Sequence, residues 1–138
     1  MSDHGRQRPP AVLAAEVQVP FKYTIIHGGS PSRRSAEQKA RTRSLNLVGL
    51  VFETTEMEKD ELHLSFTDSS YGRNSLEITL DLGKKFKTVE LVGQVEWYER
   101  RSTAVGHAFI VGVGFIDVAA DVLSLLRDYL QQARGLLQ

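Results

Sequence analysis

The 138-residue chain contains no cysteine, which excludes disulfide bonds, zinc–cysteine sites and thiol catalysis. It also lacks any apolar run approaching the ~20 residues that cross a bilayer, and its polar, basic start lacks the apolar stretch of a signal peptide. We therefore expect a soluble, cytoplasmic protein. Charge of one sign is missing as well, because 17 Lys and Arg balance 17 Asp and Glu. No overall field favours nucleic acid or a membrane, so an anion site must come from local clustering.

Motifs for catalysis and metal binding are also missing. The four histidines show no His-x-His or His-x-x-x-His spacing, so we expect no metal site. The chain has no Gly-x-Ser-x-Gly, no glycine loop with a lysine for phosphate, and no visible nucleophile–base arrangement. The pair Gly112 and Gly114 lies in a strand pattern and is interpreted as close packing of backbone in a barrel. We predict that the protein is not an enzyme and has no catalytic residues.

Alternating apolar residues predict six strands, each with one buried face. The alternating runs are Val17–Ile25, Leu45–Phe52, Leu62–Phe66, Leu76–Leu82, Val89–Trp97 and Phe109–Phe115. The second run slips at Val48-Gly49, which we interpret as a bulge or a close backbone approach. Residues 32–41 are polar and basic and are predicted to form a loop, and turn residues such as Asp68, Ser69 and Ser70 separate later runs.

The last segment changes to helical spacing after Asp117, which is a plausible N-cap. The residues with helical spacing are Val118, Val122, Leu125, Leu126, Tyr129 and Ala133. Leu123, Leu130, Leu136 and Leu137 widen the apolar face, either as a broad buried face with a frayed end after Gly135 or as a surface for a homodimer or another protein partner. We predict a mostly-β fold, a small six-stranded antiparallel β-barrel with a C-terminal α-helix, spanning residues 15–138 after a flexible tail at 1–14.

Three segments of the sequence resemble the PilZ domain family. Arg43-Ser-Leu-Asn-Leu-Val-Gly-Leu-Val-Phe52 is similar to the family's Asp/Asn-x-Ser-x-x-Gly strand, and Val95-Glu-Trp97 is similar to its late strand. Val113-Gly-Phe115, followed by the Leu-x-x-Tyr-Leu helix at Leu126–Leu130, resembles its last strand and C-terminal helix. The resemblance spans roughly residues 16–131. It implies a bacterial domain of cyclic di-GMP signalling, with motility or biofilm formation as the output.

The first cyclic di-GMP motif of that family is an Arg-x-x-x-Arg run before the first strand, which grips phosphates and stacks on guanine. In this chain the matching stretch, Pro10-Ala-Val-Leu-Ala14, is apolar. Arg6 and Arg8 lie earlier, with a different spacing, as part of a mobile terminus or as a ligand-ordered tail. Losing two charge-assisted contacts of roughly 1.5–3 kcal/mol each lowers affinity by about two to four decades.

The second motif is altered too. Ser44 stands at the family's acidic position and Asn46 at its serine position, while Gly49 matches. A basic cluster precedes it, formed by Arg33, Arg34, Lys39, Arg41 and Arg43. The cluster is either a solvated loop or a rebuilt anion site. On a regular strand Arg41 and Arg43 point together, and Ser44 and Asn46 point to the opposite face, which argues against a single pocket.

Three functional hypotheses follow. The first is a binding or adaptor domain of cyclic di-GMP signalling that has an incomplete nucleotide site and acts through protein partners. The second is a genuine cyclic di-GMP receptor that uses a rebuilt arginine cluster, and the third is a small β-barrel that binds protein or RNA. The ligand-binding residues of the receptor hypothesis are Arg33, Arg34, Arg41, Arg43, Ser44, Asn46, Gly49, Arg6 and Arg8. Cyclic di-GMP is the candidate ligand of the receptor hypothesis, and we expect no other cofactor.

Overall fold

A computed structural model describes residues 16–67 and 72–136, with side chains described up to Arg134. The predicted tail at residues 1–14, including Arg6 and Arg8, lies outside these residues, as do the predicted turn residues Asp68–Ser70 and Leu137. The elements are β1 Pro20–Ile26, β2 Gln38–Leu45, β3 Gly49–Thr54, β4 Glu58–Lys59, β5 Leu62–His63, β6 Ser75–Asp81, β7 Thr88–Thr103, β8 Gly106–Ile116 and α1 Ala120–Leu136.

Six of these strands close an antiparallel barrel in the order β1-β2-β3-β8-β7-β6. The inward side chains of all six form one apolar core, at whose centre the Phe21 and Phe52 rings meet edge to face at 5.3 Å. Helix α1 adds Leu126 and Leu130 to this core, and both are fully buried. The predicted fold class, a six-stranded barrel with a C-terminal helix, is confirmed.

The strands that make up the six differ from the prediction. The predicted strand Leu62–Phe66 is not in the barrel, because only Leu62–His63 is extended and it pairs with β4 in a separate hairpin. The additional barrel strand is β2, which takes only Leu45 from the predicted run Leu45–Phe52 and is separated from β3 by a turn at residues 46–48. Strand β2 starts at Gln38, inside the segment predicted to be a loop, because its outward side chains are cations that hide the alternation.

Helix α1 also begins later than predicted. Asp117 is not its N-cap, because Asp117 has a left-handed φ of 49° and lies three residues before the first helical residue. The first turn closes instead through a bond from the Leu123 N–H to the Ala119 carbonyl at 2.9 Å. Leu123 is half-buried and Leu130 buried, so both belong to the side that faces the barrel. Over the described ranges, no helix has the length and apolarity needed to span a bilayer.

Close packing occurs at Gly112 and Gly114, but the prediction that backbone packs there is wrong, because the packing partners are side chains. A Cβ at Gly112 would lie 2.1 Å from Nε1 of Trp97, and a Cβ at Gly114 would lie 2.4 Å from a carboxylate oxygen of Glu96. Both partners come from β7, where a register shift between Val95 and Trp97 interrupts the pairing with β8. The absence of a Cβ therefore lets an indole and a carboxylate lie flat on β8.

One end of the barrel is held together by the buried side chain of Asn74. Its Oδ1 accepts a hydrogen bond from the Gly28 N–H at 2.9 Å, and its Nδ2 donates to the carbonyls of His63 and Phe66 at 2.8 and 3.0 Å. The two histidines beside it each shape a turn: Nδ1 of His27 and Nδ1 of His63 accept backbone N–H groups two and three residues further on. At His63, whose pKa burial lowers, these bonds require the neutral imidazole ring.

Acidification is expected to destabilise the protein through His63. Burial lowers the pKa of His63 below its ordinary value near 6.5, against a weaker opposing effect of the Glu58 carboxylate. Because the folded pKa is the lower one, the stabilisation is complete above the unfolded pKa and is lost as pH falls through the folded value. Urea midpoints at pH 7.5 and 5.5 should therefore differ less in His63→Gln than in the wild type. The exposed-site control His107→Gln should keep the wild-type difference, and equal differences in all three proteins would contradict the assignment.

Candidate functional site

A groove of about 810 Å³ lies on the outer face of the barrel over β1 and β2. This volume is within the range of small-molecule sites, about 300–1,000 Å³. The lining residues are Gln18, Pro20, Phe21, Lys22, Lys39, Ala40, Arg41, Thr42, Arg43, Glu53, Thr79, Asp81 and Thr88. Across the described part of the chain, no group of three or more His, Asp or Glu side chains is arranged to hold a metal ion.

Four cations, Lys22, Lys39, Arg41 and Arg43, line this groove, which we call the basic groove. Lys39, Arg41 and Arg43 are outward side chains of β2. Lys22 belongs to β1 and lies directly opposite Lys39. The Lys22 ammonium lies 3.9 Å from the Glu37 carboxylate, and Arg43 lies 3.5 Å from Glu53. Lys39 and Arg41 have no ion pair within residues 16–67 and 72–136. The groove therefore offers two uncompensated cations to an anion.

A β-bulge in β2 decides which side chains share the outer face. The register with β3 shifts between Thr42 and Ser44, so that Thr42 lies opposite Phe52 and Ser44 opposite Val51. Since Phe52 points into the core, Thr42 points inward, whereas Ser44 shares the outward face of Val51. The prediction that Ser44 faces away from the arginines is therefore wrong. The extra residue of the bulge, Arg43, resets the alternation and puts Ser44 on the arginine side.

Asn46 lies in the turn between β2 and β3 and is 8% exposed. Its Oδ1 accepts the N–H groups of Val48 and Gly49, each at 2.8 Å. An Asx turn of this kind uses the side-chain oxygen to shape the backbone. At the position where the resemblance implies a ligand-binding serine, this chain therefore has a side-chain oxygen that is already occupied by the turn.

Gly49 begins β3 opposite Gly114 of β8. A Cβ at this position would lie 2.2 Å from the carbonyl oxygen of Val113, which is a backbone atom. The match of Gly49 to the family motif therefore has a structural reason in this chain, because the two strands approach too closely for any side chain.

Arg33 and Arg34 are separate from the basic groove. Arg34 bridges to Ile26 at the far end of β1, and its guanidinium donates to the Glu77 carboxylate. Ile26 and Lys22, which lies opposite Lys39, are four residues apart, so about 13 Å of strand separates the nearest members of the two groups of cations. The predicted five-cation cluster is thus divided into two. Lys22 was missed because its position depends on the β1–β2 register, and β2 was read as a loop.

No protein-family model matches the chain, and no curated protein matches it. Among solved structures, the PilZ domain of YcgR from Escherichia coli with cyclic di-GMP has a TM-score of 0.58 at 12% identity, over 86% of this chain and 84% of that one. MrkH of K. pneumonia in its apo state has a TM-score of 0.64 at 11% identity, over 96% and 54%.

A further match is the inhibitor of motility MotI/DgrA from Bacillus subtilis, with a TM-score of 0.57 at 13% identity over 91% of this chain and 50% of that one. The chain thus spans about half the length of the MrkH and MotI chains. These similarities establish that the chain has a PilZ-like fold, as the sequence resemblance implies.

Asn46→Ala is expected to destabilise the fold by about 1–2 kcal/mol, because two backbone N–H groups lose their acceptor. Asn46→Asp retains an oxygen at the same place and should recover most of the loss. Urea unfolding of both variants measures the difference. Equal stability of the two variants would show that the turn does not depend on this oxygen.

Gly49→Ala is expected to cost about 1–3 kcal/mol or more, because the new methyl group overlaps a backbone carbonyl that cannot move without displacing β8. Val48→Ala, at an exposed neighbouring position, is the matched control and should change the unfolding free energy by less than about 0.5 kcal/mol. Thermal unfolding compares the two. A Gly49→Ala protein as stable as the control would contradict the close approach of β3 and β8.

Proposed function

We propose that this chain is a binding domain whose basic groove takes a cyclic dinucleotide, with cyclic di-GMP as the ligand to test first. The observation that carries the proposal is the bulge in β2, which puts Arg41, Arg43 and Ser44 on one outer face beside the groove. The PilZ-like fold supports this choice of ligand, since the matching YcgR domain is described with cyclic di-GMP.

The charges of the groove suit such a ligand. A cyclic dinucleotide carries two phosphates, and Lys39 and Arg41 are the two groove cations without an ion pair in the described chain. A guanidinium offers forked donors to phosphate oxygens and a flat face on which guanine stacks. Asp81 lies on the β6 side of the groove and Glu53 on the β3 side. These carboxylates restrict an anion to the central strip over β1 and β2.

Titration calorimetry with cyclic di-GMP tests the proposal. We expect micromolar binding to the wild type, and a loss of at least tenfold for Lys39→Ala and Arg41→Ala, because each removes a charge-assisted contact worth roughly 1.5–3 kcal/mol. Arg33→Ala removes an exposed cation at the other end of β1 and is the matched control, with affinity within twofold of the wild type. The double variant Arg6→Ala, Arg8→Ala measures the part contributed by the preceding segment.

Two results would contradict the proposal. The first is no heat at ~100 μM ligand, a concentration that detects micromolar sites. The second is binding that Arg41→Ala leaves unchanged, which would place the ligand elsewhere. Increasing salt should weaken binding, because the contacts are ionic.

The second candidate is an adaptor that acts through a protein partner without a nucleotide. The apolar stretch Pro10–Ala14, where the family resemblance implies arginines, favours it. So does the Phe66 ring, which is 52% exposed and stacked on His63 at 5.3 Å, because an exposed aromatic ring is a frequent anchor of protein interfaces. Absence of nucleotide binding in the titration would make this candidate the leading one.

A further inference from the structure

The buried side chain of Thr42, 1% exposed, holds the four residues that precede β1. We call residues 16–19 the lead-in segment. The Thr42 N–H donates to the Val19 carbonyl at 3.0 Å, and the Thr42 Oγ1 accepts the Val19 N–H at 2.9 Å. The same hydroxyl donates its proton to the Val17 carbonyl. All three bonds connect one residue of β2 to the two residues that flank Gln18.

The Thr42 hydroxyl takes the place of a backbone acceptor, the Thr42 carbonyl, that the bulge removes from the ladder. The β1–β2 register pairs Pro20 with Arg41, so Val19 falls opposite Thr42. In a regular antiparallel ladder such a pair exchanges two backbone bonds, and the Val19 N–H would donate to the Thr42 carbonyl. In this chain the Val19 N–H donates to the hydroxyl instead. The bulge in β2 and the bond from the Val19 N–H to the Thr42 hydroxyl are therefore parts of one local structure.

The lead-in segment forms part of the basic groove. Val19 is buried, and Gln18 is exposed and lines the groove with Arg41 and Arg43. Because Thr42 binds the backbone on both sides of Gln18, it fixes the backbone position of Gln18 in the groove that Arg41 and Arg43 also line.

We propose that Thr42 is a positioning residue of the basic groove. Its hydroxyl points away from the ligand and acts through the lead-in segment, keeping Gln18 in place as one wall of the groove. The effect on affinity rests on the proposed cyclic dinucleotide site. By linkage, a ligand that contacts both Gln18 and the arginines must in turn hold the lead-in segment more tightly against β2.

Ser35 provides a matched control within the same fold. Its hydroxyl is also buried, accepts the N–H of Ile25 at 2.9 Å and donates to the Ala36 carbonyl at 2.8 Å. Ser35 therefore makes the same kind of hydrogen bond to β1 as Thr42 makes to the lead-in segment, but at the end of β1 that lies away from the groove. A purely structural role of Thr42 predicts that losing either hydroxyl has the same consequences.

The experiment compares Thr42→Val, Thr42→Ser, Ser35→Ala and Gln18→Ala. Titration with cyclic di-GMP should show about tenfold weaker binding for Thr42→Val and Gln18→Ala. Thr42→Ser and Ser35→Ala should bind within twofold of the wild type, although Ser35→Ala lowers the urea midpoint. Hydrogen exchange at the Val19 amide should be faster in Thr42→Val and, in the wild type, slower with ligand.

Gln18→Ala keeps the test valid if Thr42→Val does not fold, because the Gln18 side chain is exposed. Wild-type affinity in Gln18→Ala, or in a folded Thr42→Val, would overturn the proposal. If the wild type itself binds no cyclic di-GMP, the proposed function fails, and the positioning role is decided by NMR of the free protein. Thr42→Val should then shift the NMR signals of the Gln18 side-chain amide and of Arg41 Nε, whereas Ser35→Ala should leave both signals unshifted. Unshifted signals would overturn the positioning role.

Discussion

The β-bulge between Thr42 and Ser44 is the constraint on which the site depends. A strand alternates its side chains strictly, so one residue out of register sends every later side chain to the other face. Arg43 is that extra residue. It lets Thr42 face the core, lets Ser44 face solvent and still returns Leu45 to the interior opposite Leu50. In a regular ladder Arg41 and Leu45 would lie on the same face, so either Leu45 would point into the core or Arg41 would line the groove, but not both.

The groove also contains an unfavourable contact between two like charges. Lys22 and Lys39 lie directly opposite each other on neighbouring strands, and like charges in this arrangement destabilise a sheet. Glu37 relieves the repulsion only partly, since it lies 3.9 Å from Lys22 on the exposed surface. An anion bound over this pair, as proposed for the basic groove, would remove the remaining repulsion. Local rules of stability are commonly broken in this way at functional sites.

The sequence predicts those parts of the fold in which a strand buries every second residue. The runs through Phe21, Ile78 and Val113 show this clearly and lie where the alternation places them. Strand β2 was missed because its outward residues are cations and its bulge breaks the period, so the pattern resembles a basic loop. The site was therefore only partly predictable. Arg41, Arg43 and Ser44 were named, but their common face depends on the bulge, and Lys22 depends on a strand register that composition does not encode.

The two ends of the barrel differ in how they can open. Asn74 connects the β1–β2 loop at Gly28 to the segment between His63 and Phe66, so neither can leave without breaking bonds to the same amide. That end should behave as one cooperative unit, with a common rate of local unfolding. The lead-in segment at the other end is bonded to β2 through Thr42, by one backbone hydrogen bond and two hydrogen bonds of the Thr42 hydroxyl, and Val19 is buried in the core. Loss of the Thr42 hydroxyl would therefore loosen only the few residues of this segment, while the bonds around Asn74 at the opposite end stay intact.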